Sequence, residues 1–527
     1  MAKRNASATK SAGPSSAKPF RLGVDRVTLE VVRDVARFDR KVVLTPAAKA
    51  KIERAYRYLR KRTEGGETIY GVNTGFGLLS SVRIPEADLE ELQYNLLRSH
   101  SVGTGEPISV AQSRAMLFLR AVNLSIGHSG VRVQLVRQIV ACLNAGVTPW
   151  IPEQGSVGAS GDLAPLSHLS LVLIGEGRAY YRGTLMDGAK ALRAAGLKPV
   201  RLGPKEGLAL INGTQFMTAL GTLALLDAEY LCDVADLAGA ISLEALKGTV
   251  SAFDADIHRV RPHPGQSLVA ARLRAILQPK GRGSEISHSH EGCGKVQDPY
   301  SLRCMPQVHG ASRDTLHFVR EVLEREVVSV TDNPLVFPSS PGRPASGKVL
   351  SGGNFHGQIV AIAMDALSIA VAELASISEQ RIEKLINPAM SGLPAFLVQE
   401  GGVNSGFMIV QVAAASIVSE NKTLCHPASV DSIPTSADKE DHVSMGAWAA
   451  RKATRVLENA RRVIAMELLA ATTGLEFHRP LRSSPKIETT VRTLRTRVKP
   501  ITKDRTFHLD MRAIEEMLVA RGIDAEV

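Results

Sequence analysis

Residues 155–168 read GSVGASGDLAPLSH, and three of them have an unusual chemical option. Ala159, Ser160 and Gly161 follow Gly155 and Gly158 and precede Asp162. Glycine carries no side chain to keep one backbone atom from another. The Gly161 nitrogen can therefore attack the Ala159 carbonyl. Loss of two waters, one of them carrying the Ser160 hydroxyl, leaves a five-membered methylidene-imidazolone (MIO) ring, an electrophile that ordinary side chains do not supply. The tripeptide alone decides nothing, because Gly/Ser/Ala runs are commonly loops. Ala345, Ser346 and Gly347 repeat it inside PASGKVL, in a Pro/Gly/Ser-rich linker.

A second candidate is the group His288, His290, Glu291 and Cys293, all of types that ligate metals. No second cluster completes a site and the run sits in Gly/Ser-rich sequence, so a solvated loop is expected there. HExxH, P-loop and GxSxG patterns are absent.

The elements that must position such chemistry are mostly helical. The chain has 527 residues, 44% hydrophobic and 22% charged, with only 4% aromatic. That is ordinary for a globular protein and too long for one simple core. Net charge is +12, partly from Lys3, Arg4, Lys10, Lys18 and Arg21, which have no acidic neighbour in residues 1–22. Neither this stretch nor basic residues 479–505 interleave aromatics, and no nucleic-acid module is present. Five cysteines without CxxC spacing suggest free thiols and a cytoplasmic protein. Residues 1–17 lack the apolar centre of a signal peptide. The longest apolar run, 359–377, contains Asp365 and Glu373, which argues against a membrane span.

Periodicity predicts helices over 46–62, 86–99 and parts of 111–145, then long ones within 216–259 and over 357–386, 406–424 and 440–473. These long helices are too apolar to stand alone and should pack as a bundle. Residues 338–348 read as a linker and 479–503 as a basic, loosely patterned segment. A last short helix has Asp510 as its N-cap, an apolar stripe of Ile514, Met517 and Leu518, and Gly522 as its stop. The expected domains are a disordered basic tail (1–20), an N-terminal lobe (21–215), a central long-helix bundle (216–478) and a C-terminal segment (479–527).

Beyond residue 25 the chain resembles the MIO-dependent histidine, phenylalanine and tyrosine ammonia-lyase family. GSVGASGDLAPLSH is similar to the cofactor-forming segment of that family, whereas PASGKVL is not. YGVNTGFG (70–77), NLLRSH (95–100), NGTQ (212–215), QDPYSLRC (297–304), SGGNFHG (351–357) and ENKTLCHPASVDSIP…EDHVSMG (420–446) also match, in the family's order. The resemblance implies a mainly α fold of the fumarase/aspartase-like superfamily, with a long-helix bundle and an MIO-bearing N-terminal lobe. It also implies a homotetramer with sites built from several subunits, and no metal.

It further implies non-oxidative loss of ammonia from an α-amino acid. Ala159, Ser160 and Gly161 would form the electrophile that captures the amine, and Tyr70 would be the base that takes the β-proton. A phenol with an ordinary pKa near 10 serves only where its site favours phenolate. Arg303 offers a planar fork for the substrate carboxylate, and Tyr300, three residues earlier, resembles the family's second site tyrosine. Asn212 and Gln297 would hydrogen-bond the ring or the substrate, and Phe355 would pack beside the ring.

Two positions bear on the substrate. His100 ends NLLRSH, where histidine-specific members carry histidine and phenylalanine-specific members an apolar residue; tyrosine lyases also allow histidine. Glu440 stands where aromatic-selective relatives show glutamine. A carboxylate suits an imidazole N–H and suits an apolar ring badly. Glu440 is expected near the start of a helix, after Thr435 and Ser436 as caps. Lys439 and Met305 depart from the usual pattern, where glutamines are frequent. Histidine turnover to trans-urocanate is the expectation; a tyrosine or phenylalanine lyase, a 2,3-aminomutase or a non-catalytic helical scaffold are the alternatives.

Overall fold

The computed structural model describes residues 18–79, 81–339 and 346–527. The expected basic tail up to residue 17, Ala345 and much of the expected 338–348 linker lie outside the described residues.

Helices dominate, and their starts follow from local chemistry. Pro46–Glu64 begins after Thr45, whose hydroxyl accepts from the Ala48 N–H at 3.2 Å, with Pro46 where no N–H is needed. Ala48, Ile52, Ala55 and Leu59 form its buried stripe. Leu89–His100 follows a single turn of 3-10 helix, and Val110–Ser125 opens with a reciprocal Ser109–Gln112 capping box. The long helices are Gln215–Ala245, Met305–Glu326, Gln358–Ile386, Met408–Leu424 and Gly446–Glu476. Strands are short, two to four residues, and form small separate sheets, such as Phe20–Leu22 parallel to Val42–Leu44 and the Arg178–Tyr181/Thr184–Asp187 hairpin.

Two compact units are present. The first comprises Met1–Leu223, Glu321–Asp365 and Pro427–Arg451; the second, Ala224–Arg320, Ala366–His426 and Lys452–Val527. In the first, every residue from Ser113 to Ser125 of the Val110–Ser125 helix is buried. In the second, Leu237, Ile241, Leu374, Leu468 and Leu475 belong to an apolar core that also encloses ion pairs. Asp236 accepts from His309 (2.8 Å), Arg272 (2.8 Å) and Arg313 (2.6 Å). These partners hold its carboxyl down at about 2 against the upward push of burial.

Three local expectations are corrected. The helix expected from 440 starts at Gly446, because Met445 takes φ 54° and donates to Val157 O, while Ser444 Oγ accepts from Gly446 N at 3.1 Å. Thr435 and Ser436 therefore cap no helix. The final helix is Phe507–Val519 with Thr506 as N-cap; Asp510 lies in its first turn and pairs with Arg505, although Ile514, Met517 and Leu518 are buried as expected. Segment 479–503 is not loosely patterned: it contains the Pro485–Arg495 helix, whose Ile487, Val491 and Leu494 are buried. Gln358–Ile386 is long and apolar enough to cross a membrane by length and composition, yet 61% of its most apolar window is buried in the protein.

Candidate active site

Ser160 ends in a cavity of about 870 Å³ whose walls include Tyr70, His100, Ala159, Asn212, Phe355 and Glu440. Six predicted positions scattered over 370 residues of sequence thus share one space with Ser160, and all belong to the first unit.

The tripeptide is held from below. Gly161 takes φ +76° and pairs with Gly213, which takes φ +140°. A Cβ at Gly161 would lie 2.2 Å from Gly213 O, so only glycine fits. The Asp162 N–H donates to the same carbonyl at 2.7 Å. Asp162 Oδ2 then accepts from the Phe216 and Met217 N–H groups at the start of Gln215–Ala245. Burial nevertheless pushes this carboxyl up to about 7, and its Oδ1 is buried without a partner. Asn212 Nδ2 donates to Ser160 O at 3.0 Å, leaving Asn212 Oδ1 buried and unpaired.

Glu440 faces the tripeptide from a tight hairpin. Thr435 and Glu440 exchange main-chain bonds, and Ser436, Ala437 and Asp438 all take positive φ. Three consecutive non-glycine residues in that region store strain, a pattern that concentrates at functional sites. The hairpin aims the carboxylate: Oε1 accepts from Ser160 Oγ at 2.6 Å, and Oε2 from Thr435 (2.9 Å) and Ser436 (2.8 Å). Among the described residues no lysine or arginine pairs with it.

His100 closes the Leu89–His100 helix, with Nδ1 3.0 Å from Ser99 Oγ. Burial lowers its pKa below the ordinary imidazole range, partly offset by a main-chain contact with Leu96 and by the Glu440 charge. Tyr70 stands edge-on to Phe76, with centroids 6.5 Å apart. Its phenol is shifted upward, first by burial and further by Glu440, against a main-chain contact with Gly77. Within one chain, then, the surroundings do not favour phenolate.

Gln297, Tyr300 and Arg303 are not among the cavity walls. They belong to the second unit, where Tyr300–Arg303 is one helical turn, the Arg303 guanidinium lies 4.5 Å from the Tyr300 ring centroid and Tyr300 is 71% exposed. His288 and Glu291 pair on the surface at 2.7 Å, and among the described residues no group of three or more His, Cys, Asp or Glu is arranged to hold a metal.

The cavity also contains residues that the sequence did not single out. Asn333, Ser351, His356 and His442 line it, the two imidazoles stacked at 6.0 Å. His356 and His442 lie inside matched segments, SGGNFHG and EDHVSMG, which was the signal available. Lys439 lines the cavity as well. A second cavity, about 580 Å³, lies against Val72 and Asn73 and includes none of the predicted residues.

Ala159 and Ser160, a facing carboxylate and a tyrosine on a glycine-rich turn share this one cavity, an arrangement that fits a lyase. The chain belongs to the aromatic amino acid lyase family, whose model matches residues 27–496. More particularly, it is 53% identical over 509 residues to the histidine ammonia-lyase of Anaeromyxobacter sp. (strain K), spanning 95% of this chain and 98% of that protein. A crystal structure of histidine ammonia-lyase from Trypanosoma cruzi is similar with a TM-score of 0.87 and 46% identity, covering 96% and 94% of the two chains. Tyrosine aminomutase from Streptomyces globisporus reaches a TM-score of 0.89 at 37% identity, covering 96% and 97%. The mainly α fold is thus shared by lyases and aminomutases, and cavity residues must separate them.

Proposed function

We propose that this chain eliminates ammonia from L-histidine to give trans-urocanate, as a carbon–nitrogen lyase. The observation that carries the reading is Glu440: its Thr435 and Ser436 donors outlast the loss of the Ser160 hydroxyl, no lysine or arginine among the described residues pairs with it, and His100 stands on the same cavity wall. An imidazole N–H supplies the missing partner, whereas a phenyl ring leaves a desolvated carboxylate unpaired. High identity to histidine ammonia-lyases supports the same substrate.

The residues present suit an MIO group formed from Ala159, Ser160 and Gly161. Gly161 is pressed on Gly213 with no room for a side chain, and Asn212 keeps a buried acceptor free beside Ser160. Once formed, such a ring supplies an electrophile that makes the substrate amine a better leaving group. The chain's own groups then have distinct tasks. His100 and Glu440 hold the imidazole, Phe355 shields one side, and Asn212 fixes the main chain at Ser160. Tyr70 takes the β-proton, and its raised pKa means that it needs a nearby cation to ionise.

Arg303 is the natural source of that cation and of a carboxylate fork. Because it is absent from the cavity of its own chain, it comes from a second copy in a homotetramer. Exposed apolar side chains on the long helices, Ile359, Ile362 and Ile369 on one and Met408, Ile409 and Val412 on another, support such assembly. We place the enzyme in the cytoplasm, in keeping with its five free cysteines.

Purified protein offered histidine, tyrosine and phenylalanine tests the reading by ultraviolet absorbance. Urocanate from histidine alone is expected. Coumarate, cinnamate or a β-amino acid as main product defeats the assignment.

A further inference from the structure

Behind the tripeptide the first unit is stacked in three layers. Gly161 lies on Gly213, where an added Cβ would meet the Gly213 carbonyl carbon at 2.4 Å. Gly213 in turn lies on Arg120: its own Cβ would fall 2.9 Å from Arg120 Nη2 and 2.6 Å from both Gln215 Oε1 and Thr331 Oγ1. Arg120 forms the third layer, a fully buried side chain on the Val110–Ser125 helix.

Its guanidinium spans one connection in the chain. Nη1 donates to Ala209 O and Asn212 O, both at 3.0 Å, and Nη2 donates to Gln215 Oε1. Those acceptors lie on the two sides of the turn from Glu206–Ile211 into Gln215–Ala245. The same turn brings Asn212 Nδ2 to Ser160 O and Gly213 O to the Asp162 N–H. Gln215 Nε2 passes the restraint on to Thr331 at 2.9 Å. A buried guanidinium is costly to desolvate, and only its planar fork reaches both sides of the turn together.

We propose that Arg120 is a positioning residue for ring closure in Ala159–Ser160–Gly161: it presses Gly213 against Gly161 and so keeps the Gly161 nitrogen on the Ala159 carbonyl. This rests on the reading of that segment as self-cyclising. In the closure, the Gly161 N–Ala159 C bond forms, and the Ala159 carbonyl oxygen leaves as water with the amide protons of Gly161 and Ser160, giving a C=N bond. Ser160 then loses its hydroxyl and its Cα hydrogen as the second water. No oxidant or reductant enters. Arg120 touches no substrate atom; its effect is on how completely the electrophile is made.

Intact-mass measurement of full-length protein provides the test. Wild type should lack two waters; a wild-type chain at its full peptide mass ends the self-cyclising reading itself. Arg120→Lys keeps the charge and loses the fork. A shift of about 1 Å costs an intramolecular reaction roughly a hundredfold, so a large fraction of folded R120K should retain both waters, with KM unchanged in the cyclised remainder. Arg114→Lys is the matched control: Arg114 is a buried arginine on the same helix that holds Val35, Ala36 and Leu143 carbonyls instead. R114K should lose stability yet lack both waters. If R120K does not fold, Gln215→Leu removes the fork's acceptor and should also leave waters behind. Complete dehydration of the folded R120K or Q215L variant overturns the proposal, as does incomplete dehydration of R114K to the same extent.

Discussion

Glu467 and Glu440 are similar carboxylates put to opposite uses. In the second unit, Glu467 accepts from the hydroxyls of Ser242 and Ser378 and from two nitrogens of Arg381, all with no exposure. In the first unit, Glu440 also collects hydroxyls, from Ser160, Thr435 and Ser436, but no lysine or arginine among the described residues pairs with it and it faces a cavity. A buried carboxylate with every partner supplied is scaffold. One with its last partner missing is a binding group, since unpaired charge in a partly dry site attracts whatever completes it.

The strongest way to separate the two regions is Ser160→Ala. It removes the oxygen that the second dehydration expels, so turnover should fall by at least about 10⁴-fold, while the melting temperature stays near that of wild type. A variant that still turns histidine over within tenfold of wild type breaks the assignment of chemistry to this segment. Next in size is Glu467→Gln, which strands the Arg381 guanidinium in the core. Loss of one partner of a buried pair costs on the order of 3–5 kcal/mol, read as a large drop in denaturation midpoint, with KM for histidine unchanged in the folded protein.

Asp162→Asn probes a smaller effect. Asn keeps an acceptor for the Phe216 and Met217 N–H groups but cannot ionise. In the folded chain Asp162 titrates near 7 rather than near its ordinary 3.8, so the folded state holds this proton more tightly than the unfolded one. Its contribution is complete below about pH 4 and drains away as pH rises through 7. Wild type should therefore lose on the order of 2–4 kcal/mol on this account between those limits, and D162N should not. Parallel melting-temperature curves for the two proteins from pH 4 to 8 would refute the raised pKa.

Much of this is legible in the amino-acid sequence. The Pro46–Glu64 and Gln358–Ile386 helices are set by nearby residues: a capping threonine and Pro46 in one, and a breaker-free run ending at Asn387-Pro388 in the other. The tripeptide was readable because the chemistry proposed for it needs only three adjacent residues. What stayed hidden depends on partners far along the chain. Glu440 looked like the first turn of a helix, but its hydrogen bond to Ser160 crosses 280 residues, and the strained 436–438 turn that makes this possible has no glycine to announce it. Arg120 is similar: one arginine within an apolar helix, whose acceptors lie 89 to 95 positions away. Pro485–Arg495 was missed because its three buried apolar residues are diluted by basic ones on the other face.

Glu440→Gln makes the same change as Glu467→Gln at the other carboxylate and so sharpens the comparison most directly. The amide still accepts from Thr435 or Ser436, and the side chain lies at a cavity wall, so stability should change by less than about 0.5 kcal/mol. What is lost is a charge-assisted bond to the substrate, worth roughly 1.5–3 kcal/mol. That predicts a fall of about ten- to a hundredfold in kcat/KM for histidine. Phenylalanine has no side-chain donor for such a bond, so any turnover of it should hold or rise, narrowing the preference by the same factor. If histidine and phenylalanine decline together, Glu440 acts on the reaction in general and not on the imidazole, and substrate choice must be sought at His100. If instead E440Q loses stability as E467Q does, Glu440 is scaffold after all and the contrast between the two carboxylates fails.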